Sequence, residues 1–315
     1  MISFLSCSID ERLSDRLRAN LASSVGVEHE FLVHRNRELG WGLARAYNAL
    51  AARARHPVLC FLHEDVAFLS PPGWGDQVVR FYAEHPGAGV VGFAGCQVKS
   101  RTPSGWFGPR AYNRQDFIQH SRSGRARQMR NAPAGEPFSR VAVIDGMCLF
   151  VPRDAWAESP FDEATFPAFH GYDLDFTTEV GMRRTNHVCH TVQVEHFSPG
   201  TFDRRWRMAV AAYHRKWSDA LPLSCVPLDE RQRASIEATA SYRLLRDLLD
   251  ARDAEPSEIV EARALYRPHR TVERSARLLW RSLRRAFRPD SCGGGSDGRR
   301  VMPGSSDRPN DACGD

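Results

Sequence analysis

Lysine is nearly absent from this chain: Lys99 and Lys216 stand alone among 43 basic residues, so arginine carries the formal charge of +5. No run of those arginines alternates with aromatics, and no nucleic-acid groove is indicated. The basic balance suits anionic ligands. Paired cysteines are missing too. The eight stand singly at 7, 60, 96, 148, 189, 225, 292 and 313, none in a C-x-x-C pair. Cys60 and Cys148 lie inside apolar runs, where a free thiol packs as a small hydrophobe, and a reducing compartment fits best. No stretch approaches the roughly 20 apolar residues that span a bilayer. Met1 to Cys7 carries no basic leader and soon meets Asp10-Glu11, so the chain reads as cytoplasmic.

What is present is enough apolar residue, 42% of 315, for a sizeable core in one large domain with an appendage or in two modest ones. Its centre is Val58-Leu59-Cys60-Phe61-Leu62, a short apolar run preceded by Pro57. Such a run reads as a strand buried on both faces in a parallel sheet. His63, Glu64 and Asp65 follow at its carboxyl end, where open α/β sheets place ligands. Acids delivered there are either a solvated turn or the ligands of a divalent metal, because burying them unpartnered is costly.

Around this strand the order is strand, helix, strand, helix, strand. Ile2 to Cys7 is the first strand, and Ser8 with Glu11 forms a capping box for a helix to about Ser23. Glu30 to His34 is the second strand, and Leu43, Ala46, Tyr47 and Leu50 recur at helical spacing up to Pro57. That order implies a right-handed wound sheet with parallel strands. Asp76 to His85 reads as a helix and Gly89 to Gly95 as a glycine-rich strand. Arg101 to Arg140 shows little periodicity and reads as a long basic loop, either a solvated segment or a binder of anions.

Val141 to Val151 reads as one buried strand with Asp145 in its middle. An acid there needs a fixed partner, or Gly146 opens a bulge that turns Asp145 into a cavity, or Asp145 is hydrogen-bonded to backbone amides in a turn. Asp173 falls in the first turn of a helix that starts near Tyr172, where the dipole favours a carboxylate, so capping alone could explain it. Asn186 to Phe197 alternates as a strand, with Val188, His190, Val192, Val194 and His196 on one face. His187 and His190 lack a zinc pattern. His196 closes the strand before Ser198-Pro199-Gly200. Beyond Cys225 the chain reads as helices over 229–253, 257–267 and 271–288, then a disordered tail from Pro289. The last helix is basic and amphipathic, with Val272, Ala276, Leu279, Leu283 and Phe287 on one stripe. It fits peripheral contact with an anionic membrane surface or packing on the rest of the chain.

With Asp65, Asp145-Gly146, Gly171-Tyr172-Asp173-Leu174-Asp175-Phe176 and His196 in this order, residues 1 to about 205 resemble a family 2 type glycosyltransferase of the GT-A fold. They most resemble the glycosyltransferase-like domain of streptomycin-biosynthesis proteins. Leu39 to Leu50 resembles the family's glycine-to-asparagine helix, with Arg45 and Asn48, and Phe61 to Asp65 stands where D-x-D is usual. The resemblance implies a Rossmann-like, mostly parallel sheet flanked by helices, giving a domain over 1–225; composition adds the helical extension over 226–288 and the tail over 289–315. It also implies inverting transfer of a sugar, a hexose by analogy, from a nucleotide-diphosphate donor. The acceptor hydroxyl belongs to a glycan, a lipid-linked or a small molecule, as in polysaccharide or secondary-metabolite assembly.

By the same resemblance Mn²⁺ or Mg²⁺ is held by Asp65 and His196, and Asp173 is the general base. Ser6, Ser8 and Asp10 edge the nucleotide, with Arg45, Asn48, His63 and Glu64 also on the donor side. Asp145 and Gly146 form the wall shared by donor and acceptor. Two residues depart from the pattern: His63 replaces the first acid of D-x-D, and Tyr172 stands where a Glu commonly precedes the base. A non-catalytic module binding sugar nucleotides or glycans is the rival expectation. A sugar-phosphate nucleotidyltransferase is disfavoured, since the first strand lacks a glycine-rich phosphate loop.

Overall fold

The computed structural model describes residues 1–286. The tail expected from 289, and the last helix's final two residues, Phe287 of the apolar stripe and Arg288, lie outside the described residues. The chain opens as expected with β1 (Ile2–Ser8), α1 (Glu11–Ser24), β2 (His29–Arg35), α2 (Leu43–Ala51) and β3 (Val58–Leu62). All five β3 residues are buried. Phe4 and Cys60 enter one core with Leu17 and Leu21 of α1, while Leu5, Leu59 and Phe61 enter another with Leu43, Tyr47 and Leu50 of α2. Successive strand residues thus feed opposite layers, which is why the run is apolar throughout rather than alternating. Asp10, not Ser8, caps α1, its side chain accepting the Arg12 amide.

Next come β4 (Val66–Phe68), α3 (Gly75–Glu84), β5 (Ala88–Gly92), β6 (Ala94–Cys96) and β7 (Val98–Lys99). The segment expected as an irregular loop holds strands β8 (Asn113–His120) and β9 (Ala126–Asn131), paired as an antiparallel hairpin, and then β10 (Phe138–Val141). Its polar residues concealed it: β9 faces water along much of its length, and β8 is half-buried and mostly polar. The single strand expected over 141–151 is two strands, β11 (Val143–Ile144) and β12 (Cys148–Pro152), with a turn at 145–147. After α4 (Arg153–Glu158) and α5 (Tyr172–Gly181), the strand expected over 186–197 is likewise divided into β13 (Thr185–Cys189) and β14 (Val194–His196).

These divisions have one cause: the chain passes between two sheets. The larger has the order β10-β13-β5-β12-β3-β1-β2, and the smaller β11-β6-β8-β14-β4. In the larger sheet β1 runs parallel to β2 and β3, and β13 parallel to β5. β12 enters antiparallel between β3 and β5, and β10 is antiparallel to β13. Parallel pairing therefore holds for the helix-connected first half and for β13, and the architecture is α/β with helices on both faces, as expected.

The end of the described chain is helical. It comprises α6 (Arg204–Lys216), which has no counterpart among the expected elements, the short β15 (Leu223–Ser224), and then α7 (Glu230–Asp250), α8 (Pro256–Tyr266) and α9 (Val272–Ala286). Asp203 caps α6 by accepting the Trp206 amide, and Val210 and Tyr213 are buried. Buried Lys99 ties α6 to the 99–105 loop: its Nζ donates to Ser104 O (2.7 Å), Ser104 Oγ (2.8 Å) and Gly105 O (3.2 Å), and to His214 Nε2 (3.0 Å). Burial pushes its ammonium down to about 7. Ile236 of α7 packs with Val98 and Tyr213, whereas Leu245, Leu248 and Leu249 form a separate cluster with α8 and Leu278.

One side chain joins three elements beneath α5. The β13–β5 pairing shifts register between Thr185 and His187. There Asn186 Oδ1 accepts the Val90 amide (3.0 Å), and its Nδ2 donates to Thr177 O (2.6 Å) and Ala142 O (3.3 Å). Asn186→Ala leaves these buried groups unsatisfied and is expected to cost about 2–4 kcal/mol in urea unfolding. A loss near zero would show that the site relaxes without them.

Candidate active site

Four segments far apart in sequence converge at the carboxyl ends of β1 and β3. His63, Asp65 and His196 each offer a ligand atom within 4.8 Å of the others. Strand pairing brings them together, since β14 runs antiparallel to β4 with His196 opposite Val66. His196 Nε2 lies 3.5 Å from Asp65 Oδ1 and has no hydrogen-bond partner, although the residue is 7% exposed. Its other nitrogen, Nδ1, faces Gln119 Oε1 at 3.2 Å. Gln119 Nε2 donates to Ser198 O (2.8 Å), so Oε1 is the acceptor for a proton on Nδ1. Such an outer partner fixes the tautomer and leaves Nε2 free as a ligand.

His63 is oriented by a chain of the same kind. Tyr172 Oη donates to Gly146 O (3.0 Å) and lies 2.9 Å from His63 Nε2, which therefore carries the proton. Nδ1 keeps its lone pair. Burial, then the neighbouring His196, lowers the His63 pKa and favours the neutral imidazole. Burial also opposes charge on Asp65 and His196, but their attraction outweighs it: Asp65 is held well below the usual carboxylate range, and His196 above its ordinary value. Two neutral-capable imidazole nitrogens and a carboxylate, with an orphaned buried nitrogen between them, fit a divalent cation.

Asp173 is linked to this triad through the 145–147 turn, by way of Gly146 and Tyr172. Gly171, in the left-handed region (φ 86°), starts α5, and Asp173 sits in the first helical turn. Its Oδ2 accepts the Gly146 amide at 3.1 Å. Burial, then the like charge of Asp145, pushes its carboxyl up to about 7, against the pull of the Leu174, Asp173 and Gly146 backbone. Asp145 is half-buried, and its Oδ1 accepts the Met147 amide at 3.0 Å, so of the expected arrangements the acid takes that of a backbone-bonded turn residue and not of a residue inside a strand. A Cβ on Gly146 would fall 2.4 Å from Tyr172 Oη and 2.9 Å from Asp173 Cβ. Only glycine lets the helix approach this closely.

The other expected site residues divide between edge and scaffold. Ser6, paired with Leu62 at the same sheet edge, is buried with its Oγ unpartnered. Glu64 closes the β1–α1 turn, accepting from Ser8 Oγ (2.5 Å) and from the amides of Ile9 (3.2 Å) and Asp10 (3.1 Å). Asp10 is paired with Arg12. Arg45 is exposed and lies 3.8 Å over the Trp41 ring, which stacks on His34. Asn48 is engaged by the fold: Nδ2 donates to Phe161 O and Glu163 Oε1 (both 2.9 Å), and Oδ1 accepts from Trp156 Nε1 and the Phe161 amide (both 3.1 Å). Gly42 admits Pro167, whose carbonyl oxygen would lie 2.2 Å from a Cβ there. Sequence reasoning gave no role to Gln119, because its segment read as a loop, or to Phe169, whose ring lies 5.8 Å from that of His63.

A cavity of about 560 Å³ lies apart from these acids, between the 98–109 loop and α6, α7 and α8. No helix of the described residues is long and apolar enough to cross a membrane.

A family profile described as a glycosyltransferase-like family matches residues 3–204. No curated protein matches. Among solved structures, GalNAc-T7 with UDP, GalNAc and Mn²⁺ is similar at 11% identity and a TM-score of 0.48, over 85% of this chain and 54% of that one. This chain thus spans about half of that protein's length. Residues 1–349 of S. aureus TarS align at 14% identity and a TM-score of 0.43, over 88% of this chain and 91% of that one. A197 from STIV aligns at 13% identity and a TM-score of 0.34, over 63% and 86%.

Two expected outcomes follow from the site geometry. In metal-free protein the Asp173 carboxyl titrates, by carbon NMR, near 7, and Asp145→Asn moves the midpoint down by removing the like charge; an unmoved midpoint would assign the shift to burial alone. Since the folded midpoint exceeds the unfolded one, the folded state binds more protons. This group therefore lowers stability as pH rises from roughly 4 to about 7. Asn48→Ala is expected to cost about 1–3 kcal/mol of stability with nucleotide affinity unchanged, as read by denaturation and calorimetry.

Proposed function

The chain belongs to the glycosyltransferase-like family, and on that premise we propose that it transfers a sugar from a nucleotide-diphosphate donor to an acceptor hydroxyl with inversion at the anomeric carbon. The observation that carries this reading is the meeting of the His63, Asp65 and His196 triad with a carboxyl of raised pKa, Asp173, across one glycine turn. The donor lies along the β1 and β3 edge, with Ser6 and the Ser8–Glu64–Asp10 turn toward the nucleotide. His63, Asp65 and His196 would hold a divalent ion, which when bound would supply positive charge to the departing diphosphate. Two imidazoles disfavour Mg²⁺, which prefers oxygen ligands, and Mn²⁺ accepts the mixed set more readily.

Asp173 takes the proton of the acceptor hydroxyl. A carboxylate with a pKa pushed up to about 7 is a stronger base than an exposed aspartate and is still ionised in part at neutral pH. The Gly146 amide anchors the carboxyl through Oδ2, and the like charge of Asp145 adds to burial in raising its basicity. Direct attack from this side inverts the centre. The sugar is read as a hexose, and the acceptor as a glycan, a lipid-linked or a small molecule. The free thiols of Cys60 and Cys148, 3.5 Å apart, support a reducing, cytoplasmic setting.

The test is thermal stability against nucleotide diphosphates and nucleotide sugars, with Mn²⁺, with Mg²⁺ and without metal. A ligand at about 100 times its dissociation constant adds roughly 2.7 kcal/mol. One nucleotide is expected to stabilise the protein only with metal, most with Mn²⁺, and not in Asp65→Ala. Asp173→Asn is expected to keep donor binding and lower turnover at least ~100-fold. Full turnover in that variant would remove the base, and donor binding without turnover in the native protein would favour a binding module.

A further inference from the structure

Helix α9 is packed with its amphipathic faces reversed. Three of its arginines face the protein: Arg274 Nη1 donates to Ala238 O (2.9 Å), Arg281 pairs with Asp250, and Arg285 reaches Leu248 O (3.4 Å), Ala251 O and Ala254 O (2.7 Å). Arg285 thereby meets carbonyls at the carboxyl end of α7, where the helix dipole favours a cation. Leu278 is the buried apolar residue of α9. The apolar stripe points the other way, with Val272 90% exposed, Leu279 63%, Trp280 55% and Leu283 50%. Spaced at 100° per residue, these four fall within about a third of the helix circumference, opposite the inward arginines.

We propose that this stripe docks on an anionic lipid surface, with Val272, Leu279, Trp280 and Leu283 entering the headgroup boundary. The setting favours lipid over protein. A stable protein interface uses roughly 20–30 residues a side, and four side chains on one helix fall far short of a second copy's needs. Charge complementarity points the same way. Arg284 stacks 4.6 Å over Trp280, holding a cation beside the ring type that favours membrane interfaces. Arg267, Arg270 and Arg277 are exposed nearby, and among the described residues Glu273 is the acid of α9, already paired with Arg277. The inward arginines are engaged with the protein and are not the lipid contacts. This inference is independent of sugar transfer.

The experiment is flotation of the full chain with phosphatidylcholine vesicles, with and without phosphatidylglycerol, alongside sedimentation velocity. Binding to the anionic vesicles is expected, weakening with salt and falling at least ~10-fold in Leu279→Ser/Leu283→Ser. Both sites are exposed, so far-UV circular dichroism should be unchanged; Trp280→Ala is the second variant, expected to weaken binding in the same direction. No binding to anionic vesicles, equal binding to neutral ones, or binding indifferent to these substitutions overturns the proposal. Self-association that the same substitutions abolish would also overturn it, assigning the stripe to a second copy.

Discussion

The missing side chain of Gly146 is the constraint on which the site depends. Its amide is held by Asp173 and its carbonyl by Tyr172, whose hydroxyl in turn orients His63. One residue without a Cβ thus ties the candidate base to the candidate metal triad. Any larger residue drives Tyr172 and Asp173 away together. The same turn lets the chain leave the smaller sheet at β11 and enter the larger one at β12, so fold topology and site geometry share a single joint.

The charges gathered there are unequal in their surroundings. Asp65 has two imidazoles for company and stays ionised, whereas Asp173 has burial and Asp145 against it and holds its proton to about 7. The two carboxylates thereby differ in proton affinity, which suits the separate roles of ligand and base proposed for them. The supports are polar groups from elsewhere: Gln119 behind His196 and Glu64 across the Ser8 turn. Each satisfies a partner that burial would otherwise leave costly.

The helical end of the chain follows a different logic. Lys99 pins α6 against the 99–105 loop through carbonyls and His214 rather than through a carboxylate, and Arg285 fixes α9 by the carbonyls that follow α7. Cations serve here as multi-donor anchors for backbone oxygen. That use of arginine on the inner face is what leaves the apolar stripe of α9 outside.

The sequence by itself determined the first three strands and their two helices, the carboxyl-end placement of His63 and Asp65, and the first-turn position of Asp173, because these follow from local periodicity and end signals. It could not show that 141–151 and 186–197 each divide between two sheets, since a buried strand and two short ones with a turn carry the same apolar pattern. Nor could it see the strands of 113–131, whose exposed faces are polar. Tertiary structure alone decided that Gln119 stands behind His196, that Asn48 bonds within the fold, and that α9 turns Arg274, Arg281 and Arg285 inward. Periodicity shows that a helix has two faces, but which face finds a partner depends on the groups that distant segments bring to meet it.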